Sequence, residues 1–492
     1  MINIGTRREC FFDDFLLDNA KTTAKHLLHH PEIRNIVLVH DAPWEGDGCD
    51  FHNFFYDEEY GKYRLYYLAW HTNVVEPKIP AELKYIRICY AESDDGIDWV
   101  KPNLGICEFD GSYDNNIILD KKVCSAFDNF YVFKDSNPAC PKEEKYKGIA
   151  LYDKALWAFF SEDGIHFAPG RMITDKGAFD SLNTMHWNES AGVYRGFMRG
   201  FHLPGDLEGN DPMDERPLEL PDTERNDRIR DVRYIESKDF INWSRPKLID
   251  FGDKEDIPLY TNCVSQYPRA SHMVVGFPTR YIERRAWTDS FEELCGKELR
   301  LERMKTAERF GLAITDCVFM CSRDGVHFTR YDEAFIRPGP EHATNWVYGS
   351  CYPSIGFLFT ENPTRPGMDK ELSMYCFENH WSGAATEWRR YVLRQDGFVS
   401  LHAGAKEETV VTKPFVFDGS RLFANMETSA RGYIYFEIKA EDGSEIKSCE
   451  MFGDSVDKPI GFIGDLSAFS GKEVVMTIRM LDADIYSIKF EK

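Results

Sequence analysis

The chain has 492 residues and a net charge of −23, with 43% hydrophobic and 14% aromatic residues. That length exceeds one ordinary core, so two or more domains are expected, and the apolar content excludes a disordered chain. The acidic balance excludes nucleic-acid backbones and anionic membranes as partners, because both require a basic footprint.

The N-terminal run "MINIGTRRECFFDDFLLD" has no long apolar segment behind its arginines. It does not read as a secretory signal, and no stretch approaches the roughly 20 apolar residues of a membrane span. The 13 cysteines are odd in number, and several lie in apolar runs (Cys89, Cys317, Cys321, Cys376) without any C-x-x-C pair. Reduced, buried thiols and a cytoplasmic location are the expectation, with no structural zinc.

One corner recurs along the chain: "SDDGIDW" from Ser93, "SEDGIHF" from Ser161, "SKDFINW" from Ser237, "SRDGVHF" from Ser322 and a weaker "RQDGFVS" around Asp396. Aligned on Asp95, Asp163, Asp239, Asp324 and Asp396, the spacings are 68, 76, 85 and 72 residues. Such spacings suit a repeated supersecondary unit with loop insertions. A short apolar run precedes each corner, two more lie upstream of it, and an outer strand follows. Four strands per unit and five units predict an all-β fold, a five-bladed β-propeller over residues 1–402. A β-sandwich should follow over residues 403–492, where apolar and polar residues alternate between Gly and Asp turns. The run "FFDDFLL", Phe11 to Leu17, is placed to close the last blade as its outer strand. The best helical pattern, Ser290 to Phe310, lengthens the fourth unit. The corner itself is expected to be structural: an Asp-Gly turn whose following Trp or Phe plugs the gap between blades.

Innermost strands line the channel of a propeller, so candidate residues are sought there. The first unit carries Asp41, Trp44, Glu45, Asp47 and Asp50 in "HDAPWEGDGCDFHNFFY". The second has Asp128, and the third has Asp180, with Trp187 on the same strand and Asp231 further along. The fourth has Asn262, Arg269 and Arg280, and the fifth has Trp346, Glu378, His380 and Trp381. Carboxylates converging from several blades suit glycoside cleavage: one protonates the leaving oxygen, and a second attacks or activates water. Aromatic faces and Asp, Asn or Arg side chains suit a sugar's CH faces and hydroxyls. Asp41, Glu45, Asp180 and Glu378 are the catalytic candidates, expected to share one hollow. Trp44, Asp50, Asp128, Trp187, Asp231, Asn262, Arg269, Arg280, Trp346, His380 and Trp381 are the substrate-binding ones. Plainer readings stand beside these: Asp41 and Glu45 could flank a surface turn, Glu378 and Arg280 could pair between blades, and a lone His380 suits a hydrogen-bonded core group better than a metal ligand.

The combination of "DAPWEG", "SDDGIDWVKPNLG", "DSNPACP", "AFDSLN", "YPRASHMVVGFPTR", "SRDGVHF", "AFIRPG" and "RRYVLRQDGFVSLHAG" resembles a group of bacterial proteins related to glycoside hydrolase families 32 and 43. The resemblance implies a five-bladed propeller, joined in family 32 to a C-terminal sandwich, that cleaves fructosides, arabinosides or xylosides. It implies one acid from each of the first three blades: nucleophile or base, transition-state stabiliser or pKa modulator, and general acid. The matching regions hold Asp41 or Glu45 or Asp50, then Asp128, then Asp180. The family 32 "NDPNG" run, the Arg before the second acid and the Glu-Cys pair of blade three are missing here.

The expected activity is therefore hydrolysis of a furanoside (fructoside or arabinoside) or a short oligosaccharide. The alternatives are a non-catalytic carbohydrate-binding or assembly propeller and a glycoside phosphorylase, for which Arg269, Arg280, Arg284 and Arg285 are candidate phosphate ligands. No cofactor is required, although the channel leaves room for a structural calcium ion. The partner is a small carbohydrate, with self-association through the C-terminal sandwich a further option.

Overall fold

The computed structural model describes residues 1–75, 85–120, 127–207 and 228–492. Five antiparallel sheets of four or five strands follow one another around a ring. Blade one holds Asp50–Asp57, Lys62–Ala69, Arg87–Ser93 and Trp99–Val100, with Ile117–Leu119 added beside its third strand. Blade two holds Phe127–Lys134, Tyr146–Tyr152, Ala155–Ser161 and Ala168–Thr174. Blade three holds Thr184–Asn188, Val193–His202, Ile229–Ser237 and Lys247–Leu248. In blade four Ser265–Gln266 is innermost. Its second strand is broken into Val274–Gly276 and Thr279–Glu283 around Pro278, and Ala313–Ser322 and Phe328–Ile336 complete it. The break has a cause in the proline, which has no N–H to give the ladder.

Blade five is Leu358–Thr360, Glu371–Glu378 and Thr386–Leu393, and its fourth strand is Glu32–His40 from the start of the chain. The ring is thus closed by the N-terminal segment, but not by the stretch the sequence pointed to. Phe11–Leu17 forms turns instead: Phe12 is buried among core residues of the ring, and Leu17 bridges to Thr412. The interrupting Asp13 and Asp14 explain this, since Asp13 pairs with Arg323 at 2.7 Å and Asp14 takes up Asn19 at 2.7 Å, fixing a turn where alternation would have made a strand.

The recurring corner is structural. At the first copy Asp95 accepts from the backbone N–H groups of Ile97 and Asp98, both at 2.8 Å, and Ser93 Oγ accepts from Gly96. Gly96 then approaches blade five, where the Tyr375 hydroxyl donates to its carbonyl. Trp99 packs edge-on against Trp388 at 5.2 Å. The second copy repeats this on blade one, with Tyr66 donating to Gly164 at 2.9 Å. Each of these corners fastens its blade to the preceding one. The fifth copy differs: Asp396 is fully buried and holds Arg269, Tyr267 and Ser487 at the base of the ring.

The C-terminal unit is a ten-stranded sheet built on two long strands, Arg421–Ala440 and Glu473–Glu491, with every second residue buried along most of their length. The N-terminus contributes three of its strands: Ile2–Gly5, Glu9–Cys10 and Lys25–Leu28. Val399–Ala403 also belongs to this sheet. The expected long helix of blade four is three short ones, Asp289–Glu293, Lys297–Met304 and Arg309–Leu312, interrupted at Gly296, which sits at φ 74° with its Cα against the backbone of Ala343. All of the described cysteines are free thiols. No helix among the described residues is long and apolar enough to cross a membrane.

Candidate functional site

Two inner strands carry the same irregularity. Asp50 to Asn53 lie opposite Leu68 to Tyr66, and Asp128 to Tyr131 lie opposite Leu151 to Ile149, four residues against three in each case. The extra residue is left-handed, Phe51 at φ 51° and Asn129 at φ 56°. A bulge bends the strand and re-aims its side chain. Here it sets Asp50 and Asp128 in corresponding places at the start of adjacent blades. Asp180 comes from the loop entering the inner strand of blade three, where Arg199 donates to Ala178 O at 3.0 Å and lies 3.4 Å from the Asp180 carboxylate.

The charge of Asp180 bears on Asp128, and the charges of both bear on Asp50. Asp50 is 5% exposed, and its Oδ1 has no hydrogen bond among the described residues. Burial, then the charges of Asp128 and Asp180, hold its carboxyl well above the ordinary carboxylate range. Burial and then Asp180 push Asp128 up to about 7, against the Asn129 backbone N–H at 2.7 Å and the Arg199 guanidinium. Asp180 is the outermost, with 48% of its side chain exposed. Like charges crowded in a poorly solvated hollow keep protons at neutral pH.

Blades four and five supply the rest of the wall. His380 Nδ1 lies 3.9 Å from Asp50 and is otherwise unpartnered; burial, then Arg303, keeps the imidazole neutral. Trp381 stacks on His380 at 4.8 Å. Tyr260, Tyr281, Tyr348 and Tyr352 form one cluster, with the Tyr260 and Tyr348 hydroxyls 3.1 Å apart and Tyr352 6.2 Å from His380. The helical insertion braces this side. Arg303 donates to the carbonyls of Trp381, Tyr348 and His380, and Arg300 to Trp346 and Gly311.

Of the residues singled out in the sequence, the structure brings together Asp50, Asp128, Asp180, His380 and Trp381. The other three catalytic candidates lie apart, so the shared hollow expected for Glu45, Asp180 and Glu378 is a correction. Glu45 is 0% exposed, with Lys101 at 2.7 Å, Tyr67 at 2.6 Å and the Ala42 N–H at 2.8 Å. Burial alone would raise its pKa, but His40 and Lys101 outweigh that and hold it down to about 2. Since burial keeps His40 neutral, the Lys101 ammonium is the compensating charge. Asp41 is exposed beside the same lysine. Glu378 pairs with Arg389 at 2.8 Å on the neighbouring strand, and Arg280 with Asp316, so neither joins the other.

Several binding candidates hold the scaffold instead. Trp44 donates to Asn116, Trp187 packs edge-on against Tyr194 and Asp231 holds Arg233 and His202. Asn262 donates to Leu182 O, Arg269 pairs with Asp396, and Trp346 donates to Gly339 O. Arg199, Arg230, Arg309 and the four tyrosines escaped the sequence reading. The alternation in "VYRGFMRGF" placed Arg199 on a strand face, but nothing local said which face met the channel.

No protein-family profile and no curated protein sequence matches the chain. Among solved structures, the chain is similar to a glycosyl hydrolase from Bacteroides ovatus (11% identity, 76% of this chain and 97% of that one, TM-score 0.41). It is also similar to a fructofuranosidase from Schwanniomyces occidentalis (10%, 95% and 100%, TM-score 0.40). A third is a glycoside hydrolase family 43 arabinoxylan arabinofuranohydrolase from Bacillus subtilis (11%, 96% and 99%, TM-score 0.35).

Proposed function

We propose that the protein is a glycoside hydrolase whose acid set is Asp50, Asp128 and Asp180, acting on a furanoside (fructoside or arabinoside) or a short oligosaccharide. One observation carries the reading: carboxyls from three successive blades lie close enough that the charge of Asp180 bears on Asp128 and the charges of both bear on Asp50. Glycoside cleavage needs a protonated carboxyl and an ionised one around the same bond, and a crowded set with shared protons supplies both near neutral pH.

The blade order implied by the family resemblance gives the roles. Asp180, at the open side, hands its proton to the departing oxygen. Asp50 attacks the sugar or activates water. Asp128, adjoining both, sets their charge. For the step to balance, the proton held on Asp50 passes to the Asp180 carboxyl, so that Asp50 attacks or activates water as the carboxylate and Asp180 delivers that proton to the leaving oxygen. The test is a panel of aryl furanosides, aryl pyranosides and short oligosaccharides, read by released sugar. Turnover of furanosides supports the reading, and no turnover of any member by well-folded protein overturns it.

A further inference from the structure

Beside the acid set the chain reverses its own charge balance. A cleft of about 970 Å³ is lined by Arg228, Arg230, Arg284, Arg285 and Arg309, with Glu283 and Glu308 the only acids among its described lining. In a protein of net charge −23, this is a concentration of cations. The Arg230 guanidinium lies 4.1 Å from the centre of the Tyr281 ring, and its Nε is buried without a hydrogen bond. Tyr281 is only 1% exposed, and the Arg309 guanidinium bears on its hydroxyl. A buried donor without an acceptor calls for a partner, which water, an ion or a ligand oxygen can supply.

Two aromatic rings join the cleft to the acids. Arg199, which touches Asp180, and Arg230 both lie within 6 Å of the same two rings, Phe201 (5.0 and 5.8 Å) and Tyr260 (5.5 and 5.7 Å). A group held at Arg230 and Tyr281 therefore sits one aromatic ring away from the reacting bond. Guanidinium forks and phenol hydroxyls together match the oxygens of a carboxylate or phosphate.

We propose that this cleft, centred on Arg230, Arg309 and Tyr281, is an oxyanion subsite that takes a carboxylate or phosphate group of the substrate or a free phosphate beside it. The proposal rests on the reading of Asp50, Asp128 and Asp180 as a glycoside-cleaving centre, and it narrows the substrate to a charged one or adds a charged co-substrate.

Calorimetric titration of the full chain with galacturonate, orthophosphate and neutral galactose separates the cases. The expected result is that at least one anion binds about tenfold or more tighter than galactose. That advantage should fade in high salt and fall about tenfold in Arg230→Gln and in Arg309→Gln, with part restored in Arg230→Lys. Preference for galacturonate assigns the charge to the sugar. Preference for orthophosphate, with phosphate-dependent turnover, assigns it to a free co-substrate. Anions binding no tighter than galactose, or equally well to both glutamine variants with unchanged melting temperatures, would overturn the subsite. Because these titrations need no turnover, anion binding by a chain that cleaves no glycoside leaves the subsite standing and removes only the hydrolase reading.

Discussion

His380 of blade five places Nδ1 3.9 Å from the carboxylate of Asp50 in blade one, and neither that nitrogen nor Asp50 Oδ1 has a hydrogen-bond partner among the described residues. The imidazole is neutral and pinned from behind: Arg303 donates to its backbone carbonyl, and Gly349 lies so close that an added Cβ would stand 2.2 Å from its Cδ2. We expect His380→Gln to lower kcat/KM by about a hundredfold through misplacement of Asp50, and to move the pH profile. Gly349→Ala should push the ring and reproduce the effect with the imidazole still present. Unchanged pH profiles in both variants would remove His380 from the site.

Asp128 links the site to stability. Its folded-state value of about 7 lies above the ordinary 3.8, so the folded chain keeps a proton that the unfolded chain has released. Stability should therefore fall as pH rises from about 4 to about 7 and then level off. Asp128→Asn removes that loss. Its melting temperature should match wild type near pH 4 and exceed it at pH 7. Parallel melting curves across that window would show that the carboxyl is not crowded.

Glu45 gives the opposite sign. Its value of about 2 lies below the ordinary 4.5, so its contribution is present above that value and is lost as pH falls through about 2. Glu45→Gln leaves Lys101, 18% exposed, without its buried partner and should cost about 3 kcal/mol of stability. Activity per folded molecule should stay within a few-fold of wild type. A severe loss of kcat with unchanged melting would return Glu45 to the catalytic set.

The repeated corner has its own test. Gly164 sits at φ 77°, and a Cβ there would stand 2.3 Å from Arg64 Nη1 and 2.9 Å from the Tyr66 hydroxyl on the preceding blade. Gly164→Ala should cost about 1–2 kcal/mol from the backbone alone. The measurement is a denaturant midpoint, and an unchanged midpoint would mean that the corner does not fasten the blades.

The ring was legible because its signal is repeated: one Ser-x-Asp corner at intervals of 68 to 85 residues outweighs any single strand pattern. The closing strand was not, because "EIRNIVLVH" alternates poorly and is half exposed, whereas "FFDDFLL" looked apolar but is bent by Asp13 and Asp14. For the site, sequence position along the blades found Asp128 and Asp180 but ranked Glu45 above Asp50, only five residues away. What separates them is a bulge that turns Asp50 toward the other acids, and a lysine 56 residues further on that claims Glu45. Neither is a local property of the chain. The arginines and tyrosines around the acids come from strand faces and an inserted helical segment whose orientation only the closed ring decides.

The most direct measurement is kcat/KM on an alkyl furanoside or short oligosaccharide, whose leaving group needs a proton, for wild type and for Asp50→Asn, Asp128→Asn and Asp180→Asn, each with its melting temperature. We expect each variant to lose about a hundredfold to ten-thousandfold while remaining folded, with Asp180→Asn recovering most on substrates whose leaving group needs no proton. A folded variant of any of the three that turns over at the wild-type rate would contradict the account.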